Sequence, residues 1–316
     1  MMDWTDRHCR YFLRLITRRT RLYTEMITAP ALVHGDVAYH LDFDPSEQPL
    51  ALQLGGSDPG ALAHAARLGE RWGYDEINLN CGCPSERVQT GSFGACLMRE
   101  PQLVADCVKA MRDAVSLPVT VKHRIGLDRN DDHSFVRDFV GTVAAAGCDV
   151  FIVHARNAVL KGLSPKENRE VPPLRYDVVH RLKREFPALT LVVNGGLTTW
   201  GDITRELGHA DGAMVGRMAY HDPYSLVTAD RQVFGDDAPV RSRADILHAL
   251  LPYVEAQVRR GVPVRAITRH VLGLYHGQSG GRHFRRILSD SARLQAAGPA
   301  VLLEALAAVD VRTLAA

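Results

Sequence analysis

Seven short apolar runs recur along the first two thirds of the chain, and most are separated by stretches with helical periodicity. Strands that alternate with helices form a parallel sheet, because each parallel connection requires a crossover. Repeated this often, the pattern predicts an α/β fold of the (β/α)8 TIM-barrel type, one strand short of the eight that closure needs. The predicted strands are Leu22–Ile27, Leu50–Leu54, Glu76–Asn80, Val119–Ile125, Val150–His154, Thr190–Asn194 and Gly212–Gly216.

Helix signals lie between these runs. Asp58-Pro59 reads as a capping residue followed by proline at the first helical position. A second helical face runs from Leu103 to Met111 and includes Cys107, and a third ends at Gly147.

The strand pattern stops after about residue 238. The chain is therefore predicted to divide into a barrel domain, residues 1–238, and an all-helical domain, residues 239–316. Predicted helices in the second are Ala244–Arg260, Val264–His276, Phe284–Gln295 and Ala300–Ala308.

Net charge is only +2, but its distribution is uneven. From Arg241 onward there are eleven arginines, no lysine and five acids, which leaves +6 on this segment and −4 on the rest. A basic segment on a slightly acidic body indicates either an anion-binding face or a solvated helical surface.

Compartment and metal content are constrained by the cysteines and the N-terminus. Six cysteines occur, and the close pair Cys81-Gly82-Cys83 does not have zinc-ligand spacing, so no metal site is predicted. The first residues lack the apolar stretch of a signal peptide, and no run of 18 apolar residues occurs. We expect a cytoplasmic protein with reduced thiols and no membrane span.

A glycine-rich loop follows the third predicted strand, at the strand end where barrel enzymes place catalytic groups. It runs from Asn78 to Met98 and contains Cys83-Pro84. Cys107 and Cys148 fit the usual interpretation of cysteine as a small buried hydrophobe, and Cys81 and Cys96 are assigned to structure. Cys83, on a polar loop, is the candidate reactive thiol.

Polar residues also mark the later strands. In Val119–Ile125 the apolar residues alternate, so Thr120, Lys122 and Arg124 share the opposite face, which is predicted to point into the barrel. A buried lysine there must meet an anion or lose its charge. His154, at the end of its strand, is on its own more typical of a satisfied core residue.

Two glycine-containing turns follow the last two strands, Asn194-Gly195-Gly196 and Gly216-Arg217. Barrels cradle phosphate groups with backbone N–H groups at such turns. With Lys122 and His154 on the same rim, the combination suggests flavin mononucleotide (FMN).

These motifs resemble those of the tRNA-dihydrouridine synthases. The resemblance spans nearly the whole chain, and two segments, Met2–His8 and Gly162–Arg169, are similar to the A branch, which modifies D-loop uridines. It implies reduction of a uridine at about position 20 of tRNA to 5,6-dihydrouridine, with FMN as cofactor and NADPH as reductant. Cys83 would then be the general acid that protonates C5 of uracil.

The resemblance also implies which residues bind the ligands. FMN contacts are expected from Met1, Met2, Asp3, Gln53, Lys122, His154, Asn194, Gly195, Gly196, Gly216 and Arg217. Contacts to the D-loop and elbow region of tRNA are expected from Asn80, Lys161, Lys166, Arg169, Arg282, Arg285 and Arg286, with Asn80 at the target base. No obligate protein partner is implied.

One departure from the family concerns the N-terminus. Family members carry a short strand ending in Ala-Pro before the Met-Met that opens this sequence, and that strand would be the eighth. We expect the native start to lie upstream of Met1, and mass spectrometry of the native protein would refute this by finding Met1 at the terminus.

Two other functions remain open on the residues alone. Another FMN-barrel oxidoreductase acting on a small substrate would share the phosphate turns and Lys122 without needing a basic helical region. A tRNA-binding protein without catalysis would share the basic region without needing a flavin.

Overall fold

Seven strands form a single sheet within residues 1–130 and 132–313, which are the residues that the computed structural model describes. Their order in the sheet follows their order in the chain, and the pairings from the second strand to the seventh are parallel. The strands are β1 Leu22–Thr28, β2 Leu50–Gly55, β3 Glu76–Cys81, β4 Val119–Arg124, β5 Val150–His154, β6 Thr190–Asn194 and β7 Gly212–Met214. All seven predicted strands are confirmed, and β7 ends two residues early.

Helices alternate with these strands and continue beyond them. Those of the described chain are α1 Arg7–Ile16, α2 Ala29–His34, α3 Val37–Leu41, α4 Pro59–Trp72, α5 Glu86–Thr90, α6 Pro101–Ala114, α7 His133–Ala145, α8 Tyr176–Glu185, α9 Trp200–Leu207, α10 Arg217–His221, α11 Ala229–Phe234, α12 Arg243–Arg259, α13 Val264–Thr268, α14 Gly281–Ser289, α15 Ser291–Ala297 and α16 Val301–Thr313. Short 3-10 helices cover Pro45–Glu47, Gly94–Arg99, Glu167–Arg169, Pro223–Thr228 and Gly298–Ala300. This is a parallel α/β fold with C-terminal helices, in agreement with the predicted class.

Helix ends follow the predicted signals. The carboxylate of Asp58 accepts the N–H of Ala61 at 2.6 Å and so caps α4. Gly147 adopts a left-handed φ of +95° just after α7, and its N–H donates to the carbonyl of Ala144 at 2.8 Å. The sequence therefore predicted both helix boundaries correctly.

Two C-terminal helix predictions are wrong. The predicted helix from Val264 to His276 ends at Thr268, and turns follow it. The predicted helix from Phe284 to Gln295 is broken at Asp290, whose carboxylate accepts the N–H groups of Ala292 and Arg293 and starts α15. The apolar periodicity crosses both breaks, because adjoining short helices can bury the same face.

The chain forms two compact units. The first, here called the sheet unit, comprises Tyr23–Asp42 and Leu50–Val215. The second, here called the helical unit, comprises Met1–Leu22, Phe43–Pro49 and the described residues from Gly216 onward. The helical unit thus begins at Gly216 and includes the N-terminus, whereas the sequence places a boundary at residue 238; residues 314–316 of the predicted helical domain lie outside the described residues.

One stretch in the described chain, Ser291–Val309, has the length and mean hydropathy (1.3) of a membrane-spanning helix. Length and composition alone are weak indicators, because core helices of soluble proteins meet the same criterion. Here the helix is interrupted at Gly298, where φ is +56°. The apolar-run criterion of the sequence had not identified this stretch.

Candidate active site

The backbone of Cys83 is held on both sides just after β3. Its N–H donates to the side-chain oxygen of Asn80 at 2.9 Å, and the N–H of Gly82 donates to the same oxygen at 3.0 Å. Its carbonyl accepts the N–H of Ala95 at 2.9 Å. Gly94 permits this closure, because its φ is +77° and an added Cβ would lie 2.6 Å from the Cys83 carbonyl oxygen. The backbone that carries the half-buried Cys83 thiol is therefore fixed.

A network of side-chain hydrogen bonds links Asn80 to the interior of the sheet. The side-chain nitrogen of Asn80 donates to Gln53 Oε1 at 2.9 Å, and Gln53 Nε2 donates to Asn78 Oδ1 at 2.8 Å. Asn78 Nδ2 then donates to Thr120 Oγ1 at 2.8 Å, and that hydroxyl donates to Glu76 at 2.6 Å. Gln53 and Asn80, predicted to contact different ligands, are thus joined directly.

Lys122 pairs with Asn80 in the register of β3 and β4. Burial lowers the pKa of its ammonium to about 8; the nearby Arg124 adds to that effect, and Cys83 opposes it. Among the described residues the structure gives this ammonium no hydrogen bond and no ion pair. On the other face of β4, His123 packs against Phe139 and Phe151, so the predicted alternation is confirmed.

Arg124 is 4% exposed and binds main-chain carbonyls. Its Nε donates to the carbonyl of Gly82 at 3.2 Å, and its Nη1 donates to those of Asn157 at 3.3 Å and Asn168 at 3.0 Å. Burial lowers its pKa to about 10, so it stays cationic at neutral pH. It thereby connects the segment after β3 to the one after β5.

The Asn194-Gly195-Gly196 turn lies against His154, which pairs with Asn194 in register. Gly195 and Gly196 have φ values of +106° and +69°. A Cβ on Gly195 would lie 3.1 Å from the imidazole of His154, and one on Gly196 would lie 2.3 Å from Leu174. Only glycine fits both positions without strain.

Two hydrogen bonds fix this turn. Asn194 Nδ2 donates to the carbonyl of Met214 at 2.8 Å, and the hydroxyl of Tyr176 donates to the carbonyl of Gly195 at 2.5 Å. Within the described residues no acceptor is found for the backbone N–H groups of Gly195 and Gly196. Adjacent N–H groups of this kind suit an anion.

The remaining predicted cofactor residues belong to the helical unit. The terminal ammonium of Met1 donates to Thr5 Oγ1 at 2.6 Å, and Asp3 has a left-handed φ of +62°. A Cβ on Gly216 would lie 3.3 Å from the sulfur of Met1, so these two predicted contacts are neighbours. Met2 is exposed and Arg217 begins α10.

The predicted tRNA residues after β5 lie on a loop organised by Asn168. Its buried side chain accepts the N–H of Val159 at 2.7 Å and donates to the carbonyls of Val159, Leu163 and Ser164. Lys161 and Lys166 are exposed on this loop, and Arg169 is half-buried.

The other three predicted tRNA residues lie on α14. Arg282, Arg285 and Arg286 are exposed on the face opposite the buried Phe284, Ile287 and Leu288. Arg286 Nη2 is hydrogen-bonded to His283 Nδ1 at 2.6 Å. In the part of the chain that the structure describes, no carboxylate pairs with any of the three arginines. The helix thus presents a cationic face.

The other cysteines differ from Cys83. Cys81, Cys107 and Cys148 are buried, and burial raises the pKa of the Cys107 and Cys148 thiols to about 12. Cys107 and Cys148 thus have the predicted core environment. Among the described residues no group of three or more His, Cys, Asp or Glu could hold a metal ion.

Sequence reasoning did not identify three residues that shape the site. Tyr176 and Gln89 act through hydrogen bonds to carbonyls 19 and 71 residues away, and Asn168 binds three carbonyls of its own loop. No local pattern predicts such partners. Arg124 was placed on the correct face by the alternation, but its role as a bridge was not evident.

Comparison with known proteins gives matches over almost the whole chain. The sequence model described as "Dihydrouridine synthase (Dus)" matches residues 1–310. A "tRNA-dihydrouridine(20/20a) synthase" of Xanthomonas axonopodis pv. citri (strain 306) is 57% identical over 313 residues, which are 99% of this chain and 93% of the relative. A protein of the same name from Pseudomonas putida is 60% identical over 289 residues, 92% of this chain and 86% of the relative. The protein of that name from Synechocystis sp. is 57% identical over 308 residues, which are 98% of this chain and 92% of the relative.

Matches of this extent show the family. The chain belongs to the dihydrouridine synthases, a family of flavin-dependent oxidoreductases.

Proposed function

We propose that the chain reduces uridine at about position 20 of the tRNA D-loop to 5,6-dihydrouridine, with FMN as cofactor and NADPH as reductant. The observation that carries the proposal is the Cys83 thiol on its fixed loop, one strand from Lys122, whose ammonium has no hydrogen bond or ion pair among the described residues. The names of relatives that are 57–60% identical to the chain support both tRNA and position 20/20a.

The residues of the sheet unit fit FMN. The backbone of Gly195 and Gly196 leaves no space for side chains and offers two N–H groups, which suits the phosphate. The Lys122 ammonium needs an electron-rich partner, and the carbonyl and ring nitrogen atoms of a flavin are of that kind. Gln53, His154 and Asn194 would complete the contacts here, and Met1, Met2, Asp3, Gly216 and Arg217 would add those of the helical unit.

FMN, when bound, would supply hydride transfer from NADPH to C6 of uracil. Cys83 provides the other half of the reduction, because its Sγ–H gives a proton to C5 and water then restores the thiol. Hydride and proton together saturate the C5–C6 double bond, and NADPH is oxidised by two electrons. A thiol suits this step, because it can give a proton to carbon without having to be ionised beforehand.

The tRNA must be held while its uridine leaves the stack. Lys161, Lys166 and Arg169 on one loop, and Arg282, Arg285 and Arg286 on α14, are proposed to bind its phosphates. Asn80 is proposed to contact the uracil, and its fixed amide suits that role.

We further propose that the seven strands belong to a (β/α)8 barrel spanning residues 1–238 and that residues 239–316 bind the D-loop and elbow. A tRNA substrate and NADPH imply action in the cytoplasm. Neither a membrane nor an obligate protein partner is part of the proposal.

The decisive experiment maps dihydrouridine in tRNA from a strain lacking the gene and repeats the reaction with purified protein. Loss of the modification at position 20 or 20a, restored by the protein with NADPH, is the expected result. Equal activity on free uridine would instead favour a small-molecule reductase. A colourless protein that binds tRNA would favour a role without catalysis.

A further inference from the structure

A single side-chain amide joins two loops of the sheet unit. The first, residues 82–93 after β3, carries Cys83 and is here called the cysteine loop; the second, residues 155–175 after β5, carries Lys161, Lys166 and Arg169 and is here called the basic loop. Gln89 lies on α5, and its Nε2 donates to the carbonyl of Pro84 at 2.8 Å and to that of Leu160 at 2.8 Å. Pro84 directly follows Cys83, and Leu160 directly precedes Lys161. Both protons of the amide are used, so this one group contacts both loops.

The far end of this bridge is itself fixed. The N–H of Leu160 donates to Asp128 Oδ1 at 2.9 Å, and the neighbouring Val159 exchanges two hydrogen bonds with Asn168. Leu160 is 6% exposed, whereas Lys161 beside it is exposed. A displacement of Lys161 would therefore be passed through the main chain of Leu160, which is held by hydrogen bonds, to Gln89.

Arg124 forms a second bridge between the same two loops. It binds the carbonyl of Gly82 at 3.2 Å and that of Asn168 at 3.0 Å. The carbonyls on the two sides of Cys83, those of Gly82 and Pro84, are thus both held by groups that also hold the basic loop. The position of the Cys83 thiol therefore depends on how firmly Gln89 and Arg124 are themselves held.

We infer that Gln89 is a positioning residue that couples tRNA bound at Lys161 to the placement of the Cys83 thiol. The inference rests on the proposed function. Gln89 suits the task because its amide nitrogen carries two N–H donors that meet two carbonyls, which a carboxylate of the same length could not do. Contact with the correct RNA then tightens the loop that carries the proton donor.

The test uses the FMN-loaded enzyme in single turnovers with saturating tRNA. Gln89→Met keeps the length of the side chain but removes both donors, and Gln102→Met on the exposed face of α6 is the matched control. We expect Gln89→Met to slow uridine reduction about tenfold or more, because small misplacements of a catalytic group are costly. Its tRNA Kd and its flavin reduction by NADPH without tRNA should match those of the wild type and the control.

A double-mutant cycle separates coupling from simple bracing. Lys161→Ala should slow the single-turnover rate of the wild type at saturating tRNA, but should have no further effect on that rate in Gln89→Met. Multiplying effects, or an effect of Lys161→Ala on Kd alone, would overturn the coupling. Absence of dihydrouridine formation by the wild type would instead refute the proposed function, and the coupling with it.

Thiol alkylation gives a readout independent of turnover. Iodoacetamide should modify Cys83 several-fold faster in Gln89→Met than in Gln102→Met, as measured by peptide mass spectrometry. The buried Cys107 and Cys148 react only if the fold opens. If Cys107 or Cys148 reacts, Gln89→Asn replaces Gln89→Met, because asparagine stays polar but is too short to reach both carbonyls. Unchanged reactivity of Cys83 in a folded variant would overturn the inference.

Discussion

The side-chain oxygen of Asn80 lies 2.9 Å from the backbone nitrogen of Cys83 and accepts its N–H. The same amide donates to Gln53 from its nitrogen, so its orientation is fixed at both ends. One buried asparagine therefore sets the start of the cysteine loop and connects it to a residue proposed to contact the flavin.

Cys83→Ala tests the proton donor. We expect dihydrouridine formation to fall by about 100-fold or more, because a positioned general acid contributes that much. Binding of FMN and tRNA should be unchanged, since the loop is held by main-chain contacts that alanine keeps. Near-normal turnover in a quantitative tRNA digest would exclude Cys83 as the acid.

Asn80→Ala tests whether Asn80 holds the backbone of Cys83 in place. It leaves the N–H groups of Gly82 and Cys83 without their acceptor, which costs about 1–3 kcal/mol for a buried donor. We expect a lower unfolding temperature and a lower kcat. Asn80→Asp keeps an acceptor oxygen and should recover part of the loop order, as seen in Cys83 alkylation; equal behaviour of the two variants would refute this role.

Gly196→Ala tests the proposed phosphate cradle. Its φ of +69° costs an alanine about 1–2 kcal/mol, and the new methyl also meets Leu174 at 2.3 Å. The matched control is Gly235→Ala, where φ is +65° and an added Cβ would have no atom of the described chain within 4 Å apart from those of the two adjoining residues. Both variants should lose stability in thermal unfolding, but only Gly196→Ala should lose bound flavin absorbance.

The sequence was informative where a property is local. Strand positions, the inward face of Lys122, the cap at Asp58 and the turn at Gly195-Gly196 each follow from neighbouring residues. The contact of Gln89 with Leu160 and that of Arg124 with Gly82 could not be predicted, because they join residues 71 and 42 positions apart. The breaks at Thr268 and Asp290 were missed because apolar periodicity records the buried face and not the continuity of a helix.

Lys122 predicts a pH dependence of flavin binding. Burial lowers its pKa to about 8, so in the free protein the ammonium is lost as pH rises through that value. If the charged form binds the flavin, as proposed, the Kd of FMN should rise above pH 8, by at most about tenfold per pH unit.

Fluorescence titration of the apoprotein between about pH 6.5 and 9.5 measures this effect. Lys122→Met should bind more weakly and show no inflection near pH 8. A wild-type profile as flat as that of the variant would contradict a cationic contact from Lys122.

The arginines of α14 predict a salt effect on tRNA binding. Removing Arg282 and Arg285 together deletes two exposed cations that no carboxylate in the described chain neutralises. If both contact phosphates, tRNA binding should weaken, and the slope of log Kd against log salt should fall by about 1.4 to 1.8. Flavin reduction by NADPH should be unaffected. Arg67→Ala with Arg71→Ala on the exposed face of α4 removes the same charge and is the matched control; an equal loss of slope in both pairs would show that net charge, and not the α14 face, determines tRNA affinity.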